Sequence, residues 1–338
     1  MEIVLHLGAH KTASTYLQSL LEKNIVPLER HQGGFATPKK LRPMFAIAPR
    51  RRFSTARSTR NDARRWALQQ VIDTARDLQR KRLIISEEQL IGSLRPLFSG
   101  KGLYRNISHE LRGVTAALQG TPVKVMMAVR SYDTFLTSAY GQVLTGWKYL
   151  KFSPDLREYL LNEGRGWPEI VTEIMQALPS GSTLTLWEYE RFGLEESTIL
   201  QNLVGHEAQE DLGSLHETPR SGPSLEGIEA LDKIAAAGEP PEIETIRRTL
   251  RKFGKDKGFA GYSPWTMSEK ETFEQRYARD LELIRCLWPK ALISQAVPAP
   301  ITGTVQLQQH RQDPESPKFP ITNLQKRVSY RRPAVNQY

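Results

Sequence analysis

The chain of 338 residues is 39% hydrophobic, enough for one large buried core or two ordinary ones, and no window is apolar enough for a membrane span. A lone cysteine, Cys286, rules out an internal disulfide and argues against a zinc cluster or a cysteine nucleophile; its place beside Leu287 and Trp288 in an apolar helical pattern predicts a packed thiol. Lys and Arg outnumber Asp and Glu by 47 to 37, and the excess is concentrated where ten basic residues (Lys39, Lys40, Arg42, Arg50, Arg51, Arg52, Arg57, Arg60, Arg64, Arg65) meet one acid, Asp62.

In chain order, Glu2 to Leu7 reads as a short buried strand that runs straight into a glycine turn. It has neither the basic start nor the long apolar stretch of a signal peptide, which predicts a cytoplasmic chain. A helix over Ser14 to Lys23 follows. The basic stretch at 39–65 is either a patch that attracts an anionic ligand, nucleic acid or a lipid surface, or a solvated loop. Asp62 to Arg80 reads as a helix with Ala67, Leu68, Val71, Ile72, Ala75 and Leu78 on one face. Strands are expected at Arg82 to Ser86, Val123 to Val129 and Thr183 to Leu186, with a helix over Thr134 to Leu144. This alternation predicts an α/β fold: a doubly wound, mainly parallel sheet with helices on both faces and ligands beyond the carboxyl ends of the strands.

From about residue 213 the pattern changes to a loop rich in Pro, Gly and Ser, then helices over Leu225 to Ala237, Pro241 to Phe253 and Ser268 to Leu287, a helical C-terminal part. Residues 1–294 are read as one domain, and 295–338, rich in Pro, Gln and Arg, as an extended tail.

The chemistry gathers at strand ends. Gly8-Ala9-His10-Lys11-Thr12-Ala13-Ser14-Thr15 joins the first strand to the first helix, where backbone N–H groups and the positive helix end suit a phosphate. Lys11 brings a point charge; Thr12, Ser14 and Thr15 bring hydroxyl donors or cap the first turn. An ATP or GTP loop places glycine directly before its lysine, but His10 stands there. The third strand ends in Arg130, and Ser138 comes eight residues later inside a helix, so a charged fork and a hydroxyl can converge on one phosphate. Alone, the pair would be a surface Arg and a buried small residue. The second strand delivers Glu87 and Glu88 to the same end of the sheet, where they are candidate bases or caps of the next turn. His6 and His10 are alternative bases or structural residues.

Lys11-Thr12-Ala13-Ser14-Thr15-Tyr16-Leu17-Gln18 resembles the 5'-phosphosulfate loop of bacterial sulfotransferases that use PAPS (3'-phosphoadenosine-5'-phosphosulfate), with Ala13 where glycine is usual. Arg130 and Ser138 resemble the family's 3'-phosphate site, and Ser86-Glu87-Glu88-Gln89-Leu90 resembles its carbohydrate branch, in which a Glu lies near this point. The resemblance covers about Glu2 to Trp187. It implies a P-loop-type sheet and a PAPS-dependent sulfotransferase that acts on a hydroxyl, such as that of a sugar, by in-line transfer with no metal, leaving PAP. Lys11 would be catalytic with Glu87 or Glu88 as base, Glu87 preferred. Ala9, His10, Lys11, Thr12, Ala13, Ser14, Thr15, Arg130 and Ser138 would bind the donor. Arg220 and Ser221, in the late loop Thr218 to Leu225, resemble the segment that closes over the nucleotide in many members, although a Pro-Gly linker with a Ser cap explains them equally well. Trp147, Tyr149 and Trp167 would stack on an acceptor or fill the core. The rival readings are a P-loop kinase or NTPase and a nucleic-acid binder using 39–65, the latter not favoured.

Overall fold

The apolar runs expected to be strands pair side by side in one parallel sheet of the computed structural model, which describes residues 1–48, 56–213 and 222–293. The strands are β1 (Glu2–His6), β2 (Gly33–Ala36), β3 (Arg82–Ser86), β4 (Lys124–Val129) and β5 (Thr183–Glu188), in the order β2-β3-β1-β4-β5. β2 was not expected. Gly33-Gly34-Phe35-Ala36 carries no apolar run, and its pairing with β3 at the sheet edge supplies what its own propensity lacks. The far edge, β5, is covered by the segment at Leu292: Leu186 N–H donates to Ala291 O at 2.7 Å, and Ile293 N–H to Leu186 O at 2.8 Å.

The period-two alternation of β1 divides the helices. Ile3 and Leu5 face one core and Val4 the other. Val4, with Ile84, Met126 and Trp187, packs under α1 (Ser14–Lys23) and α2 (Ile25–Arg30). Next in the chain come α3 (Pro38–Ile47), α4 (Ala56–Asp77), α5 (Ile107–Glu110), α6 (Arg112–Leu118), α7 (Tyr132–Gly146), α8 (Pro154–Leu161) and α9 (Trp167–Ala177), and all of these contribute to the larger core on the opposite face. The chain then returns to the first face with α10 (Phe192–Val204) and α11 (His206–Glu210), whose Ile199, Leu203 and Ala208 join Val4. α12 (Leu225–Ala236), α13 (Ile243–Lys252) and α14 (Met267–Leu287) close over the larger core through Ile228, Ile246 and Phe273.

One consequence positions the site. The helix after β1 leaves to one face, whereas those after its neighbours β3 and β4 leave to the other, so a crevice opens beyond the carboxyl end of β1. Element bounds follow the periodicity closely, with α4 beginning six residues before the expected Asp62. Cys286 departs from expectation and is exposed. The buried positions of α14 are Phe273, Tyr277, Leu281 and Ile284, and Cys286 lies off that stripe. Residues 1–295 form one unit, and the expected tail at 295–338 lies outside the described residues. No helix among the described residues is long and apolar enough to cross a membrane.

Candidate functional site

β1 and β3 run level, Glu2 opposite Arg82 through His6 opposite Ser86, so the loop after His6 and the turn after Ser86 emerge side by side. A Cβ built on Gly8, whose φ is +101°, would come 3.1 Å from Glu88 Cβ; only glycine allows both the backbone angle and this approach. The loop is braced internally. Ala9 N–H donates to Ala128 O at 3.4 Å, while Thr12 Oγ1 and Ser14 Oγ donate to Ala9 O at 2.7 and 3.2 Å. Lys11 and Ala13 both adopt left-handed φ, 64° and 63°, and Ala13 is the N-cap of α1 without a side-chain cap bond.

A crevice of about 1780 Å³ runs from this loop across the carboxyl ends of the strands. Its wall takes His10 through Thr15 from the loop, Arg42 from α3, Glu88 after β3, Arg130 and Ser138 from the end of β4 and from α7, and Tyr189 after β5. Lys11, Arg130 and Ser138 thus share one cavity. Arg130 donates to the carbonyl of Lys11 and to Thr134 Oγ1 at 3.0 Å, and its guanidinium lies 4.3 Å from the centroid of the Tyr189 ring. Trp167 Nε1 donates to Arg130 O at 2.8 Å and supports that strand end from the core.

Of the two glutamates, Glu88 faces the crevice and Glu87 does not. Glu87 is 1% exposed and receives two bonds from Arg42, Nε to Oε2 and Nη2 to Oε1, both 2.8 Å. Its Oε1 also accepts from Gln89 N–H at 3.0 Å, capping the 3-10 turn Glu88–Ile91. The expectation that favoured Glu87 as base is therefore revised. Glu88 accepts from Gln18 Nε2 at 3.2 Å and from Arg42 Nη2 at 3.3 Å. Burial works against its charge, but His10, its own backbone N–H, Arg42 and Gln18 outweigh that and hold its carboxyl below the usual range.

The histidines are neutral near pH 7, because burial lowers both to about 4 against the opposing pull of Glu88, with Arg42 and Lys11 lowering His10 further. Tyr104 OH accepts from His10 N–H at 3.1 Å and lies 2.8 Å from His10 Nδ1. A phenol that accepts from the backbone keeps its own O–H free to donate to Nδ1 in the tautomer that carries the imidazole proton on Nε2. His6 is set back in the wall, 2.8 Å from Ser86 Oγ and stacked on Trp187.

Ala9 is fully buried behind the loop, so among the expected donor-binding residues it braces the wall instead of lining the crevice. Trp147, Tyr149 and Trp167 do not line it either: Tyr149 OH donates to Asp232 at 2.7 Å, Trp167 is buried, and Trp147 lies against Arg95 and Lys148. Arg220 and Ser221 lie outside the described residues, although the neighbouring Gly222 and Pro223 reach the crevice. Ser224 accepts from Gly227 N–H at 3.0 Å and caps α12. Tyr189, Glu190, Gln18 and Arg42 are among the wall residues not anticipated as site residues. Tyr189 and Glu190 directly follow β5, so their strand-end position was the available signal; Gln18 lies one helical turn beyond Ser14; Arg42 was noted only as part of a charge run. No protein-family model matches the chain, and no curated protein matches it.

Proposed function

We propose that this chain is a PAPS-dependent sulfotransferase built on a P-loop-type sheet with a helical C-terminal part, and that it moves a sulfuryl group onto a hydroxyl, with a carbohydrate as the favoured acceptor class. The observation that carries the reading is the meeting of Lys11, Arg130, Ser138 and Glu88, from four separate segments, around one crevice at the end of β1. The loop amides at the start of α1 and Lys11 suit a 5'-phosphosulfate, while Arg130 and Ser138 suit a 3'-phosphate. Tyr189, stacked under Arg130, offers a flat face to a base.

In this reading Glu88 takes the proton of the acceptor hydroxyl as its oxygen bonds to sulfur. Lys11 offsets the charge that grows on the phosphate oxygen when its bond to sulfur breaks. Glu88 is ionised at neutral pH and already lies in the crevice, as a base must. The distribution of the basic stretch also favours an enzyme over a nucleic-acid binder. Lys39 pairs with Glu22, Arg42 with Glu87 and Glu88, and Arg60 and Arg64 with Glu110, so these charges are neutralised within the fold.

The test is a thermal-shift comparison of PAP, ATP with Mg²⁺, and no ligand. A shift with PAP that exceeds the one with ATP, and that Lys11→Ala removes, is expected. A shift with ATP and Mg²⁺ alone would favour a kinase or NTPase, and steeply salt-dependent binding of DNA or RNA that survives Lys11→Ala would favour the nucleic-acid reading.

A further inference from the structure

We propose that Arg42 is the positioning residue of this site: it locks Glu87 into the wall and so makes Glu88, of the two glutamates that follow β3, the one whose carboxylate is held in the crevice. The inference rests on the sulfotransferase reading for its catalytic readout and deepens it at the base. Successive residues leaving a strand point to opposite sides, so Glu87 and Glu88 cannot both face the ligand. Either could be turned inward by a small change in the turn, and something must choose between them.

Glu87 is buried and needs a cation close by. Arg42 reaches it from α3 with a two-bond fork, both bonds 2.8 Å, and the same Nη2 extends to Glu88 Oε1 at 3.3 Å. The turn is secured from two further helices. Arg64 of α4 donates to Gln89 O at 2.8 Å, and Gln18 of α1 donates to Ser86 Oγ at 3.1 Å and Glu88 Oε2 at 3.2 Å. Arg42 is the contact that bridges the two carboxylates, and it lies at the crevice, where its loss would be felt by Glu88 directly. The groups around Glu88 are His6 from β1, His10 and Lys11 from the loop, Tyr104 ahead of α5, Arg42 from α3 and Glu87 beside it. Near pH 7 the imidazoles and the phenol are uncharged, and Arg42 is a cation bonded to Glu88.

The test follows the Glu88 carboxyl by ¹³C NMR in ligand-free protein labelled at glutamate, its resonance assigned by its loss in Glu88→Gln. Arg42→Gln should raise the Glu88 midpoint by about one pH unit, and Arg42→Lys should raise it less. The acidic limb of kcat should move up with it and kcat at pH 7 should fall about tenfold, while the Kd for PAP changes by less than about threefold. Glu87→Gln releases the fork to close on Glu88 and should lower the midpoint, which provides a second arm should Arg42→Gln fail to fold. An unchanged Glu88 midpoint in the folded variants overturns the proposal. A midpoint that moves as expected in a protein that neither binds PAP nor uses PAPS would leave the role of Arg42 standing and sink the donor reading instead.

Discussion

Arg130 donates a hydrogen bond to the carbonyl oxygen of Lys11, tying the end of β4 to the loop after β1 across 119 positions of sequence. The two cations expected to grip opposite ends of one nucleotide are thereby held in register before any ligand arrives. Arg130→Lys keeps the charge but loses the planar fork and the face that rests on Tyr189. Losing charge-assisted bonds of about 1.5–3 kcal/mol should weaken PAP binding roughly tenfold to a hundredfold by calorimetry. Affinity within about twofold of wild type would remove Arg130 from the nucleotide site.

Lys11→Met keeps the length of the side chain and deletes its charge. Release of PAP from PAPS, measured with a panel of hydroxyl acceptors, should drop about 10²–10³-fold, the range found when one group that stabilises transition-state charge is removed. Lys11 lies at φ 64° in a loop held by Thr12, Ser14 and Arg130, so the melting temperature should barely move. Turnover equal to that of wild type would detach this loop from the chemistry.

Ala13 has a φ of 63°, in the left-handed region, which costs a residue with a Cβ about 1–2 kcal/mol. Ala13→Gly relieves that cost and gives back part of it through the larger backbone freedom of the unfolded chain. A net gain of about 0.5–1 kcal/mol is expected in urea denaturation; a loss would mean that the methyl group contributes packing that outweighs the strain.

His6 titrates near 4 in the folded chain against 6.5 when exposed, because burial disfavours its charged form. The unfolded chain therefore binds the proton first as pH falls, and stability is lost from about pH 6.5 down to about pH 4. At pH 5 the loss from this residue alone is about 2 kcal/mol. Denaturation midpoints at pH 7 and pH 5 should differ accordingly, and His6→Gln should remove about that much of the difference. If the variant shows the wild-type pH dependence, His6 is not the group responsible.

Much of the architecture was legible because its causes are local. Apolar runs of four to seven residues made β1, β3, β4 and β5 recognisable, and helical periodicity placed α1, α12 and α14 within a residue or so of their observed ends. The same local reading placed Lys11, Glu88 and Arg130 at strand ends, and parallel strands bring such ends to one edge of the sheet. β2 escaped notice because two glycines and no apolar run leave its strand character to its neighbour β3.

What the sequence by itself determined is which residues leave which strand and in what order, since periodicity, turn chemistry and chain direction act over a few residues. Only the tertiary structure decided that Glu88 and not Glu87 faces the crevice, that Arg42 belongs to the site, that Tyr104 meets His10 and that Tyr189 lies under Arg130. Each of those outcomes depends on partners 45 to 94 residues away, or on the next strand over. Long-range proximity is set by how whole helices dock on the sheet, and no short stretch of chain encodes that.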